Sequence, residues 1–80
     1  MENNKIEYKR KTYNEIHTTD GKFCILELPF KYGYVVRDLE TQKHASYKDE
    51  KGNYNLRVFP TKADAKDFIA KVYDYKAKHK

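Results

Sequence analysis

The chain has no tryptophan, a single cysteine, two prolines and three glycines in 80 residues. One cysteine, Cys24, excludes an intramolecular disulfide. Its place between Phe23 and Ile25 predicts a buried, inert thiol in a reducing compartment. The glycines stand alone at 21, 33 and 52, so they form no phosphate-cradling loop. The longest apolar run is Phe23-Cys24-Ile25-Leu26, far short of the roughly 20 residues of a membrane-spanning helix. Residues 1–5 carry no apolar signal segment, so a cytoplasmic location without membrane contact is expected. Histidine is scarce as well. His17 falls on a strand, His44 near a loop and His79 in the tail, and none pairs with a nearby Cys, Asp or Glu at metal-ligand or triad spacing. The acidic residues are scattered, with no evident acid–base pair. These absences predict a protein that is not an enzyme and uses neither metal nor cofactor.

What the chain does have is tyrosine and lysine. Eight tyrosines and four phenylalanines stand in for scarce aliphatic residues, and each buries a large area, so aromatics are expected to make much of the core. A domain this small buries only about 60% of the surface that its unfolded chain exposes. Seventeen basic residues face twelve acidic ones, a net charge of +5 with the signs interspersed. That excess suits an anionic partner, either a phosphate backbone or an acidic protein surface. Residues with AT-rich codons far outnumber those with GC-rich codons, which points to a low-GC bacterium or its phage or mobile element.

Along the chain the pattern predicts one domain over 1–80: frayed ends at 1–5 and 77–80, a β-meander over 6–59 and a helix over 61–76. A weak opening segment precedes a strand over 12–18, with a bulge near Lys11. Asp20-Gly21 is the best turn signal, since both residues tolerate the positive φ of a tight hairpin. Residues 22–28 are apolar on both faces and read as a central strand. Strands follow over 34–39, less distinctly over 43–48, and over 54–59, where Tyr54, Leu56 and Val58 alternate inward against Asn55 and Arg57 outward. Thr61 can cap the helix, with Asp64 three residues on. Ala65, Phe68, Ile69, Val72 and the stem of Lys76 then share one face. The fold class is α+β: a small antiparallel meander of three to five strands packed against one C-terminal amphipathic helix. The predicted core is Phe23, Ile25, Val36, Leu56, Val58, Ala65, Phe68, Ile69 and Val72, joined by Leu26 and Tyr34.

Two binding surfaces follow. The first is the sheet face away from the helix, expected to carry Arg37, Arg57 and Asn55 with Lys43, Tyr47 and Lys48. Arginine and asparagine read base edges, lysine suits phosphates, and tyrosine can stack unpaired bases. With three strands before it, Phe59-Pro60-Thr61-Lys62-Ala63-Asp64-Ala65-Lys66-Asp67-Phe68-Ile69 resembles the amino-terminal arm-type DNA-binding domain of phage and transposon tyrosine recombinases. The basic glycine-aromatic lead-in strand of that family is absent. The resemblance adds to the case for nucleic-acid binding, which this sequence narrowly favours. The second surface is loop 29–34, where Phe30, Lys31, Tyr32 and Tyr34 would engage a partner protein. A packing role would instead fold Phe30 back over one end of the core. A monomer or weak dimer is expected, because edge lysines oppose strand-to-strand pairing.

Overall fold

The fold, a computed structural model, describes residues 6–78. Five antiparallel strands form a meander in the order β1-β2-β3-β4-β5: β1 Tyr8–Thr12, β2 Glu15–Thr18, β3 Phe23–Glu27, β4 Tyr34–Asp38 and β5 Lys43–His44. Two further strands, β6 Ser46–Lys48 and β7 Tyr54–Leu56, pair only with each other. The helix α1, Lys62–Lys78, is the last element among the described residues and runs two residues beyond its expected end. Of the ends expected to fray, 1–5 and 77–80, residues 77 and 78 are instead helical, while 1–5 and 79–80, His79 included, lie outside the described residues. No helix among the described residues is long and apolar enough to cross a membrane.

Local chemistry sets the junctions. Thr61 Oγ1 accepts the Asp64 amide at 3.1 Å, satisfying a helix donor that has no partner within the helix. Gly21, at φ 77°, turns β2 into β3, and its amide donates to the Thr18 carbonyl at 2.9 Å. The buried Thr18 hydroxyl donates to Asp20 Oδ1 at 2.6 Å and accepts the Phe23 amide at 3.0 Å. Tyr73 Oη of α1 then donates to Asp20 Oδ2, which ties the helix to this turn. The bulge falls between Arg10 and Thr12, as expected near Lys11. The expected strand over 12–18, however, is broken by a turn at Tyr13 and Asn14, so β1 and β2 are separate.

Alternation along β3 sends Phe23 and Ile25 toward α1, where they meet Ile16 of β2, Val36 of β4, and Ala65 and Ile69 of the helix. Phe59 completes this cluster, its ring 5.3 Å from that of Phe68. Lys76 lays its ammonium over the Phe23 ring at 5.6 Å, using its stem as expected. Three predicted core residues are not in the core. Leu56 and Val58 are exposed, and Leu26, half-buried, lies on the face of β3 opposite Phe23 and Ile25, while Ile16, Phe59, Cys24 and Val35 are buried in addition to the expected set. The reason for Leu56 and Val58 lies at the outer edge of β4. That edge is first covered by β5 and the Ala45 amide, which donates to the Val36 carbonyl at 2.8 Å. The chain then leaves the sheet, runs out and back as the β6–β7 ribbon, and returns only at Phe59, which exchanges two hydrogen bonds with Tyr34 at 2.7 and 2.8 Å. The Arg57 amide donates to the Ala45 carbonyl at 2.9 Å and closes the ribbon at its base. The alternation over 54–59 therefore belongs to a ribbon with no helix over it.

Candidate functional site

Three chain reversals gather at one end of the main sheet: the turn at 13–14, the loop at 29–33 and the junction into α1 at 60–61. The Glu27 amide donates to the Asn14 carbonyl at 2.8 Å, Leu28 to Gly33 at 2.9 Å, and Tyr34 to Phe59 at 2.8 Å, which places the three side by side. Tyr13, Phe30 and Tyr32 stand out from this end at 88, 86 and 71% exposure. Phe30 does not fold back over the core.

The backbone enforces that exposure. Pro29–Lys31 is a tight turn closed by the Tyr32 amide on the Pro29 carbonyl at 3.2 Å, and within it Phe30 and Lys31 adopt left-handed φ values of 57° and 59°. Two consecutive left-handed residues with side chains are costly, about 1–3 kcal/mol each, and persist only where the surroundings impose them. Gly33 closes the loop against the returning chain. It sits at φ 134°, and a Cβ there would lie 2.6 Å from Val58 Cγ1 and 2.7 Å from the Phe59 carbonyl oxygen. The returning chain at 58–59 thus presses on the loop and fixes its path. The Phe30 and Tyr32 rings meet edge to face at 6.1 Å, a geometry that aromatic pairs favour.

A charge cluster braces the same end. Glu27 Oε2 lies 2.8 Å from Arg10 Nη2 and 3.5 Å from Lys62 Nζ. The hydrogen bond from Arg10, more than the nearby Lys62 charge, holds the Glu27 carboxyl below its usual range. Arg10 Nη1 also donates to the Tyr13 carbonyl at 2.8 Å, so one guanidinium pins the turn that carries Tyr13. Tyr34, by contrast, is half-buried and packed against the core, so it supports the loop from beneath.

The six residues expected on one nucleic-acid-binding face do not share a face. Arg37 is on the sheet face away from α1, opposite Cys24 and His44, with Nη2 bonded to Gln42 Oε1. Lys43 is opposite Asp38, in register with the helix-facing Phe23. Tyr47, Lys48 and Asn55 belong to the ribbon, where Asn55 Nδ2 donates to Asp49 Oδ2 at 3.0 Å. Arg57 stacks over the Phe59 and Phe68 rings at 5.2 and 5.7 Å, on the helix side. No family model, curated protein or solved structure matches the chain. The likeness of residues 59–69 to recombinase arm-type domains is thus a likeness of one strand-to-helix junction.

Strand register brings together three residues whose sequence spacing gives no metal-ligand pattern. Glu15, His17 and Cys24 bring a carboxylate oxygen, an imidazole nitrogen and a sulfur within 4.8 Å of one another on the face away from α1. His17 and Cys24 are seven positions apart in sequence yet directly opposite across the β2–β3 hairpin. The Asp20-Gly21 turn would have revealed this, because a turn that pairs Thr18 with Phe23 also pairs 17 with 24.

Proposed function

We propose that this chain is a non-enzymatic binding protein that docks on a protein partner through the aromatic end of its sheet. Phe30 and Tyr32 are the anchors, Tyr13 extends the surface, and Lys31 adds a charge suited to an acidic partner. The observation that carries this reading is the left-handed pair at Phe30 and Lys31, which holds a phenylalanine 86% exposed. Leaving two aromatic rings in water forgoes on the order of 2 kcal/mol each, and strained backbone collects where a surface is shaped for a partner. Tyr and Arg lead among interface anchors, and exposed aromatics clustered at one site are the usual core of such a surface.

The test is recovery of a stoichiometric partner on immobilised chain from a lysate of the source cells. Wild type and Tyr47→Ala/Tyr54→Ala should retain the same partner at moderate salt, and Phe30→Ala/Tyr32→Ala should lose it. Equal recovery on all three would refute the aromatic end as the contact.

Nucleic-acid binding is supported by a different feature. The β6–β7 ribbon stands clear of the body with Tyr54 73% exposed and Lys48 Nζ 5.8 Å from its ring. A two-stranded ribbon has the dimensions to enter a major groove. Such binding should fall steeply with salt and be lost in Lys48→Ala/Tyr54→Ala, as read by fluorescence anisotropy of labelled duplex and single-stranded oligonucleotides.

A further inference from the structure

We propose that Glu15, His17 and Cys24 form a zinc-type metal site on the sheet face away from α1, independent of the aromatic end. His17 and Cys24 are cross-strand partners, and Glu15, two residues before His17, shares their face. Their ligand atoms already form a tight triangle, all within 4.8 Å, with His17 Nε2 and Glu15 Oε1 3.0 Å apart. Bond lengths of about 2.0–2.3 Å to tetrahedral zinc put neighbouring ligand atoms about 3.2–3.8 Å apart. The His17–Glu15 edge therefore has little to open, and no edge has more than about 1–1.6 Å to close. The half-buried Glu15 and His17 side chains can supply that adjustment by rotation, while Cys24, 2% exposed, is the fixed point.

The donor set selects the metal. Thiolate, imidazole and carboxylate together suit zinc or cobalt, whereas calcium and magnesium require oxygen ligands throughout. Three protein ligands leave a fourth position for water. Charge also balances: one thiolate and one carboxylate neutralise a divalent ion. Metal binding takes Cys24 as the thiolate, so loading releases the thiol proton to solvent. Arg37, opposite Cys24, carries a charge that opposes the cation. Its guanidinium is held by Gln42 on the neighbouring turn.

The deciding measurement is cobalt(II) titration of the full chain, followed by absorbance under reducing conditions, with zinc then added to displace the cobalt. Expected are one equivalent bound, a near-ultraviolet thiolate-to-cobalt charge-transfer band and intense visible bands of a tetrahedral centre. Zinc should abolish all of them. Cys24→Ser should remove the charge-transfer band. Because that substitution alters a buried position, His17→Gln and Glu15→Gln carry the decision, and each should weaken binding at least about tenfold. His44→Gln, on the same face but outside the cluster, should bind as wild type does. A folded wild-type chain that shows no charge-transfer band, or a band of unchanged affinity in His17→Gln, would overturn the site and leave adventitious surface binding only.

Discussion

The β2–β3 hairpin and the β6–β7 hairpin both set apolar residues on one face and meet opposite fates. In the first, Ile16, Phe23 and Ile25 are buried against α1. In the second no residue is buried, although Tyr54 and Leu56 alternate with polar neighbours as an inward-facing strand would. Both have a turn knit by an aspartate: Asp20 in the body and, in the ribbon, Asp49, whose Oδ1 accepts the Lys51 and Asn53 amides at 2.9 Å. What differs is the covering layer. A single helix of 17 residues spans about 25 Å at 1.5 Å per residue and lies over β3 and β4. Alternation specifies which side of a strand is apolar, and burial still requires an element on that side.

The sharpest way to separate the two hairpins is to truncate one apolar residue under the helix and one outside it. Ile69→Ala should cost about 2–5 kcal/mol, against the roughly 5–15 kcal/mol that a native domain has in total. Leu56→Ala, at a position 49% exposed, should cost below about 1 kcal/mol. Urea denaturation of both variants reads the difference, and equal losses would mean that the ribbon packs in solution. Next in size is the joint between the hairpins and the aromatic loop. Gly33→Ala should cost about 2 kcal/mol or more, because both its φ and its contact with the Phe59 backbone exclude a side chain.

Titration sharpens the contrast further. Tyr8 and Tyr73 belong to the body, and burial, followed by the Asp20 charge on Tyr8 and the Asp20 hydrogen bond on Tyr73, pushes both phenols up to about 12. Their neutral forms favour the fold, so that stability is complete below the ordinary value of 10.0 and is lost as pH rises toward about 12. On the acid side Asp20 is driven up by burial but held below its usual value by the combined hydrogen bonds of Thr18, Tyr73 and the Lys22 amide. Asp49 is held down first by the Asn53 amide and then by the Asn55 side chain. Both contributions are present above the ordinary value of 3.8 and are lost as pH falls below it. Thermal melts across pH should register Asp20, whereas Asp49 should appear only in hydrogen exchange of the ribbon amides. The smallest effect belongs to the aromatic end. Phe30→Ala/Tyr32→Ala should change unfolding free energy by no more than about 0.5 kcal/mol, since neither side chain packs on the core.

The elements most legible in the sequence are those fixed by neighbours in the chain. The Thr61 cap, the Asp20-Gly21 turn, the bulge at Lys11 and the helix stripe from Ala65 to Lys76 all depend on residues within a few positions of one another. The outward path of 46–56 was not legible, because a ribbon and an inward-facing strand share the same binary pattern. Arg57 was misplaced for the same reason, since its face is set by where the chain rejoins Tyr34. Phe30 was ambiguous because its exposure goes with a left-handed turn at 30–31 that the residue types there do not announce. The Glu15, His17 and Cys24 grouping was within reach of the sequence, but only by writing out the hairpin register from the turn.

The hydrogen bond between Arg57 and Ala45 makes residues 46–56 a lobe whose two stems meet. Strands β6 and β7 pair with each other and not with the five-stranded sheet, and each doubling of a flexible loop costs only about 0.6 kcal/mol. That stretch is accordingly the natural splice point of the molecule, where a foreign hairpin, an epitope or a reporter can be exchanged for the native one while the helix-covered sheet carries it unchanged.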